Sequence, residues 1–305
     1  MRVTLLGTSA AQPTARRGLS GTAVRLHGER LLVDCGEGTQ RQMVRFGTGF
    51  ALDLVLFTHF HADHFLVILG FLRTLAMAER SDPLDLYGPG PFIDRELPRM
   101  IRTLGEALPF ALNLVPLAPG DVIQRRDYRI SAVGVEHRGP ALGYVLEEPA
   151  RPGVFDVHKA RALGIPQGPL FGTLQRGESV TLPGGRTIPP DAVLGPPRSG
   201  RKLAFSGDTR PCEALIEAAQ AADLLVHEST FSAADADRAV FTRHSTAEEA
   251  AQVAAAAGVE HLVLSHLSTR YDNEPGTLLR EARARFEGRL QVAEDGLALE
   301  IGYRD

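Results

Sequence analysis

Cysteine is scarce in this chain. Two residues, Cys35 and Cys212, occur among 305, and neither sits in a CxxC pair. One disulfide at most is open to them, so a disulfide scaffold is excluded and a reducing cytoplasm is the expected compartment. Long apolar runs are missing too. None approaches the roughly 18–20 residues of a membrane-spanning helix, so no membrane association is expected. The opening MRVTLLGTSA carries one charge and a short apolar run before strand-forming residues; it is read as structure rather than as a signal peptide. Excess positive charge is also lacking. With 33 basic and 37 acidic side chains the net charge is −4, which argues against a uniformly basic nucleic-acid binder. Lysine is nearly absent: all but two of the basic side chains are arginine. What remains, 44% hydrophobic and 23% charged residues, is the composition of a soluble globular protein. The length allows one large domain or two ordinary ones.

The charge is unevenly placed. Residues 151–202 hold eight basic residues against three acidic ones, a balance of +5 that leaves −9 for the rest. Seventeen of those 52 residues are Gly or Pro, as in GIPQGP, LPGG and LGPPRSG. So much Gly and Pro speaks against a compact core layer, and a loop this long inside a domain is usually functional or mobile. The segment is read as an inserted arm whose positive charge suits phosphate. A solvated Arg-rich loop is the plainer reading of charge alone.

Outside that segment, short apolar or alternating runs ended by Gly read as strands: RVTLLG, GTAVRLHG and RLLVDCG. LDLVLFTH is a continuous apolar run of strand length, and FLVILGFLRTLAMAER after it has helical length and spacing. LDLYG, LNLVPL, RISAVGVEH and LGYVLEE continue the strand pattern, with a helix expected over 90–105. Beyond the arm, RKLAFSGD, DLLVHES and EHLVLSH read as strands; PCEALIEAAQAA, HSTAEEAAQVAAAAGV and EPGTLLREARARFEG read as helices. The second of these helices opens with a capping box, in which Ser245 and Thr246 precede Glu248 and Glu249 by three, and Gly258 ends it. Strands alternate with helices in both halves. The fold class is therefore α/β, two sheets between helix layers.

The densest chemistry lies in THFHADH, straight after an apolar strand. Ligand sites in α/β proteins favour such strand ends. In extended backbone, side chains two apart point the same way, so His59 and His61 can meet one metal. Asp63 and His64 follow after a turn and can reach a neighbouring position. Imidazole with carboxylate suits zinc, with iron or manganese as alternatives. His137 ends RISAVGVEH, Asp208 ends KLAFSGD and His266 ends HLVLSH. One such ending is ordinarily structural; three raise the total to seven ligands, enough for two metals with open positions. A pair about 3.5–4 Å apart serves hydrolysis of phosphoesters or acyl groups.

HxHxDH, with His, Asp and His at later strand ends, resembles the signature of the metallo-β-lactamase superfamily. The chain also resembles the narrower tRNase Z (ribonuclease Z) family along essentially its whole length. LLGTSAAQPT, VDCGEGTQRQM, GYVLEE, GIPQGPLFGTLQRGESV, FSGDTRP, VHESTF, HSTAEEAA and LSHLSTRY are similar to its motifs, in order. The resemblance implies an αββα sandwich over 1–305 with a protruding arm at 151–202. It implies two zinc ions, one held by His59, His61 and His137, the other by Asp63, His64 and His266, with Asp208 bridging both. It implies hydrolysis of precursor tRNA after the discriminator nucleotide. His244 is then the candidate acid for the leaving oxygen, Glu228 the carboxylate that charges it, and Asp63 the group that orients the attacking oxygen. It further implies a homodimer whose arm grips tRNA for the partner's active site, by phosphate contact rather than base reading.

Without the resemblance, Glu228 reads as a strand-end glutamate and His244 as a neighbour of a helix cap. His227, Asp34 and Glu37 are read as structural or supporting. One motif departs. The family's P-x-K-x-R-N loop is PTARRGL here, so Arg17 keeps the Arg position while Ala15 and Gly18 replace Lys and Asn. This bears on discrimination against tRNAs that already carry CCA. Arg270 and Tyr271 are further substrate candidates; loop packing is their plainer reading. Two other functions share part of this pattern. A hydrolase of small phosphodiesters, sulfate esters or thioesters has no need of the arm. A binding-only RNA 3′-end protein predicts missing ligands, and all seven are present.

Overall fold

The computed structural model describes residues 1–103 and 107–304. It divides into a larger unit, residues 1–147 with 202–302, and a smaller one, 148–201 with the chain's end from Tyr303.

The larger unit opens with β1 (Arg2–Gly7), β2 (Gly21–Leu26), β3 (Glu29–Val33), β4 (Leu54–Leu56), β5 (Leu84–Pro89) and β6 (Leu112–Leu117). A second sheet begins with β7 (Val122–Gln124), β8 (Arg129–Gly134) and β9 (Leu142–Glu147). After the smaller unit, which holds β10 (Val180–Thr181) and β11 (Thr187–Ile188), come β12 (Lys202–Phe205), β13 (Leu224–Glu228), β14 (His261–Ser265) and β15 (Arg289–Val292). The last strand, β16 (Ala298–Glu300), returns to the first sheet beside β1. The orders are β16-β1-β2-β3-β4-β5-β6 and β15-β14-β13-β12-β9-β8-β7. Strands β3 to β6 run parallel, as do β12 to β15. Parallel neighbours require crossovers, and helices supply most of them. These are α1 (Thr39–Arg45), α2 (Ala62–Phe65), α3 (Ile68–Met77) and α4 (Leu97–Thr103) in the first half. The smaller unit holds α5 (Val157–Ala162) and α6 (Pro169–Gln175); α7 (Glu213–Ala218), α8 (Ala236–Thr242), α9 (Ala247–Ala256) and α10 (Gly276–Arg283) follow.

Period-two alternation sorts the strands into layers. Val3, Leu5, Leu31, Leu54 and Leu56 of the first sheet meet Tyr144, Leu203, Phe205, Leu224 and Val226 of the second in one buried core. Their neighbours in sequence face outward. Leu6, Leu32, Val55 and Leu86 pack under Met43, Phe71, Leu72 and Leu97 of the first helix layer. Ala204, Leu225, Leu262 and Leu264 pack under Leu215, Ala250, Ala254 and Leu278 of the second. The arrangement is helix, sheet, sheet, helix, as the sequence predicts. The capping box at α9 is present in full: Glu249 N donates to Thr246 Oγ1 and Thr246 N to Glu249 Oε2.

Three expectations are adjusted. The helix in the apolar run after the motif is shorter than the run: α3 spans Ile68–Met77, and the separate turn α2 lies within the motif and carries Asp63 and His64. The helix expected over 90–105 is a π-helical turn, Phe92–Glu96, running into α4; positions 104–105 lie outside the described residues. The arm is a packed unit and not a coreless loop. Ala160, Ile165, Leu174, Val180, Ile188 and Val193 form its own apolar core, each at most 4% exposed. Its Gly and Pro residues make the turns between short elements. Asp156 caps α5 by accepting from Lys159 N at 2.9 Å. Arg151 and Arg201 lie over the Tyr303 ring at 3.7 and 4.2 Å, and Arg201 pairs with Glu148 at 2.5 Å.

Candidate active site

Every ligand candidate follows the carboxyl end of a strand. Asp34 follows β3, His59 to His64 follow β4, His137 follows β8, Asp208 follows β12, and His266 follows β14. β8 and β12 are both antiparallel to β9, so their ends share one edge. The topology therefore brings together residues more than 200 positions apart.

Two groups of side chains converge there. In the first, His61 Nδ1 stands 3.0 Å from His59 Nε2 and 3.1 Å from His137 Nε2. In the second, His64 Nε2 and His266 Nε2 are 3.2 Å apart, with Asp63 Oδ2 at 3.7 and 3.5 Å from them. Asp208 lies between. Its Oδ2 is 3.6 Å from His59 Nε2 and 3.4 Å from His64 Nε2, and its Oδ1 is 3.4 Å from His266 Nε2. Donors about 2.0–2.1 Å from a tetrahedral ion stand about 3.3–3.4 Å from one another. The spacings fit two such ions sharing one carboxylate, and the nitrogen and oxygen donors suit a divalent metal. His59, His64, His137, Asp208 and His266 are buried, whereas His61 and Asp63 reach the surface. The open side of the cluster is thus defined.

The outer ring nitrogens of His59, His64, His137 and His266 are also held, which fixes the inner ones toward the cluster. His64 Nδ1 donates to Asp34 Oδ2 at 2.8 Å. Asp34 accepts in addition from Thr58 N at 2.8 Å and Thr58 Oγ1 at 2.9 Å. His59 Nδ1 donates to Thr58 Oγ1 at 3.1 Å, His137 Nδ1 to the Arg243 carbonyl at 2.9 Å, and His266 Nδ1 to Thr230 Oγ1 at 2.8 Å. Asp34, Arg243 and His266 all have φ near +60°. Such backbone costs about 1–3 kcal/mol at a non-glycine residue and marks a position the surroundings enforce. Gly207 (φ +60°) precedes Asp208; a Cβ there would meet Thr58 Cβ at 2.9 Å. Only glycine lets the two sheets' loops approach so closely.

Charge follows the same design. Burial pushes His59, His61 and His137 below the ordinary histidine range, which keeps their nitrogens free as ligands. Burial opposes charge on His64 too, but Asp208 and Asp34 overrule it and hold a proton there. A dication at the same place takes that proton's position. Burial likewise opposes charge on Asp208 and Asp63, and the surrounding histidines keep both ionised.

Beside the cluster, His244 Nδ1 donates to Glu228 Oε1 at 2.8 Å and stands 3.9 Å from Asp208 Oδ2. Glu228 is buried and accepts three further bonds: from Thr209 N at 3.0 Å, Thr230 N at 3.1 Å and Thr230 Oγ1 at 2.7 Å. Desolvation alone would neutralise both partners. Glu228 instead raises His244 to about 9, and His244 keeps Glu228 ionised. Thr230 couples this pair to the cluster, since it accepts from His266 and donates to Glu228.

The structure places the substrate candidates differently. Arg17 is buried, its guanidinium donating to Thr8 Oγ1 and the Ala293 carbonyl and pairing with Asp272 at 3.2 Å. It braces the loop from within. Tyr271 hydroxyl donates to Asp235 and accepts from Ser232 N at 3.0 Å, which is loop packing. Arg270 remains half exposed, 3.7 Å from Asp235. His227 is fully buried on β13, apart from the cluster. Sequence reading passed over Thr58, Thr230 and Arg210. Arg210 donates to the His244 carbonyl at 2.6 Å and pairs with Glu249. The available signals were local: Thr58 adjoins His59, and Thr230 stands two from Glu228, on the same side of an extended chain.

Comparison with known proteins is consistent with this geometry. The family model for the β-lactamase superfamily domain matches residues 29–155. Ribonuclease Z of Myxococcus xanthus is 58% identical over 305 residues, covering 100% of this chain and 99% of its own length. Ribonuclease Z of Haloferax volcanii is 46% identical over 306 residues, covering 100% and 96%. Among solved structures, the short form of human tRNase Z superposes with a TM-score of 0.70 at 26% identity, covering 99% of this chain and 100% of that one. A metallo-β-lactamase fold protein from Bacillus subtilis gives 0.70 at 19% identity and covers 98% of each, a likeness of fold.

Proposed function

The chain belongs to the ribonuclease Z family, and on that premise we propose that it is a zinc-dependent endoribonuclease that removes the 3′ trailer of precursor tRNA. It cuts after the discriminator nucleotide and leaves a 3′-hydroxyl for CCA addition. The observation that carries this reading is the seven-ligand cluster with the charged His244–Glu228 pair beside it, in a chain alike over its full length to ribonucleases Z.

His59, His61 and His137 would hold one zinc and Asp63, His64 and His266 the other, with Asp208 bridging. When bound, the pair supplies Lewis-acid stabilisation of the phosphoryl oxygens and lowers the pKa of water toward neutrality. Asp63, at the open side and held ionised, orients the attacking oxygen and accepts its proton. His244 keeps its proton through neutral pH because Glu228 holds the charge. With Nδ1 engaged by Glu228, the Nε2 proton is the one delivered to the departing 3′-oxygen. The sum is hydrolysis: water adds at phosphorus, the P–O3′ bond breaks, and the trailer departs with a 5′-phosphate.

The arm is the tRNA grip in this reading, and the protein acts as a homodimer with the arm serving the partner's site. Lys159, Arg161, Arg176 and Arg186 are exposed on the smaller unit and suit phosphate contact. Arg270 is the remaining substrate candidate at the loop beside His266.

The test is incubation of purified protein with 3′-extended precursor tRNA, with and without a chelator, beside a chromogenic phosphodiester. Metal content is measured by elemental analysis. Chelator-sensitive cleavage next to the discriminator, with two zinc ions per chain, supports the reading. Turnover of the small ester with the tRNA left whole overturns it in favour of a small-phosphodiester hydrolase.

A further inference from the structure

A cavity of 380 Å³ opens directly beside His59 and His61, and none of the chemistry above uses it. Its size falls in the range of small-ligand sites, about 300–1,000 Å³. Phe60 and Phe92 line it with stacked rings, centroids 4.4 Å apart and planes 19° apart. Both are only half-buried, although fully buried Phe57 and nearly buried Phe65 back them at 5.4 and 5.5 Å from Phe60. Arg95 and Arg138 stand at the rim. Arg138 is pinned by donating to the Phe241 carbonyl at 2.6 Å, whereas the Arg95 guanidinium has no hydrogen-bond or ion-pair partner among the described residues. Glu96, also at the rim, is engaged by Arg99 at 2.9 Å. An apolar aromatic wall with guanidinium groups at its mouth, continuous with a phosphodiester-cleaving centre, matches one kind of occupant. That is a nucleobase whose flanking phosphate meets arginine.

The side of the cluster decides which base. His137 stands between the cavity and the acid: its ring is 4.9 Å from His61 and 5.0 Å from His244. His244 in turn stacks on His266 at 5.3 Å. The leaving 3′-oxygen belongs to the discriminator nucleotide and lies at His244. The other side of the scissile phosphate faces His61. We propose that the cavity seats the base of the first trailer nucleotide against Phe92 and Phe60, with Arg95 and Arg138 contacting the next phosphate along the trailer. The inference rests on the endonuclease reading above. It assigns the enzyme a contact on the segment it discards, so that the first trailer base contributes to kcat/KM whatever its identity, because every base has a face to stack.

The experiment compares three precursor tRNAs: intact, abasic at the first trailer nucleotide, and abasic at the discriminator. They are cut by the wild-type metal-loaded protein and by Phe92→Ala and Phe92→Tyr. Removing the first trailer base is expected to lower wild-type kcat/KM between about fivefold and a hundredfold, the worth of one base–aromatic stack. In Phe92→Ala the penalty for that abasic site shrinks towards one, and Phe92→Tyr restores it. A wild-type enzyme indifferent to the first trailer base overturns the proposal. So does a penalty that Phe92→Ala removes only at the discriminator, which would place that base in the cavity. Failure of wild-type protein to cut even the intact precursor is a distinct result and removes the endonuclease reading itself.

Discussion

The histidine–aspartate cluster and the inserted unit are built on opposite principles. In the cluster polar groups have several duties: Asp34 holds Thr58 and His64, Thr230 joins His266 to Glu228, and Asp208 faces five histidines. Five of its seven ligand candidates are buried, and all seven follow strand ends of the two sheets. The inserted unit has a six-residue apolar core, two-residue strands and outward-facing charge. Its basic groups pair within the unit, Lys159 with Asp156, Arg161 with Gln167, Arg176 with Glu178 and Arg201 with Glu148. Geometry to within a few tenths of an ångström is needed where a phosphorus is attacked. Gripping a charged backbone needs only the right sign in roughly the right place. Changes in the cluster should therefore act on chemistry out of proportion to their size, and changes in the arm on capture, in small additive steps.

The largest effect is expected at Asp208. Asp208→Ala removes the one carboxylate set between both histidine groups, and the remaining donors cannot hold two dications against their repulsion. Bound metal should fall below two per chain, and cleavage should drop by more than the roughly 10²–10⁴-fold assigned to a general acid. Elemental analysis alongside single-turnover cleavage checks both. Full metal occupancy in this variant would break the comparison, because the bridge would then be dispensable.

His244→Ala should leave the metals bound and cost about 10²–10⁴-fold on precursor tRNA. A nitrophenyl phosphodiester, whose leaving group needs no proton, should be cut nearly as well as by wild type. The pH dependence sharpens this. Because Glu228 raises His244 from 6.5 to about 9, the acid is protonated through neutral pH, and tRNA cleavage should decline as pH rises through that upper value. Glu228→Gln removes the stabilising charge, so the alkaline limb should move toward lower pH. Bound cations lower both limbs alike, so the difference between them is the readout. Any stability owed to this pair has the same sign: full below the unfolded histidine pKa and lost on the alkaline side. Coincident limbs in the two proteins would remove Glu228 from its charging role.

Asp34→Ala should cost about 10–100-fold in metal affinity or activity, the usual effect of removing the partner of a ligating histidine. Competition with a graded series of chelators measures it. A variant that retained wild-type affinity would show that packing alone orients His64.

How much of this was legible in the sequence divides along the same line. The convergence of the seven ligand candidates could be read because the chain puts four of them in one short motif and the others at ends of apolar strands. The Thr246–Glu249 capping box could be read because it is local. The relay through Thr230 could not, since it joins segments carrying residues 228, 244 and 266, and no periodicity encodes that meeting. Arg17 illustrates the converse. Its motif position implies a substrate contact, but its partners, Asp272 and Ala293, lie more than 250 residues away and draw it inward. The core of the inserted unit escaped notice because its apolar residues are dispersed among turns, too sparsely for either helical or strand periods to register.

The smallest effects are expected in the arm. Arg161→Ala, Arg176→Ala and Arg186→Ala should each weaken tRNA capture a little and leave the nitrophenyl ester untouched. If each guanidinium neutralises one phosphate, each loss should reduce the slope of log affinity against log salt by about 0.7–0.9, and the triple variant should sum the three. Arg176 offers the most direct internal control, because its exposed pair with Glu178 at 3.1 Å contributes little to folding. Loss of salt dependence is then separable from loss of structure by comparing melting temperatures. Catalytic rate at saturating tRNA should be unchanged in all four proteins. A fall in that rate, with the salt slope intact, would mean that the arm sets geometry at the cluster rather than supplying charge, and the division between the two regions would fail.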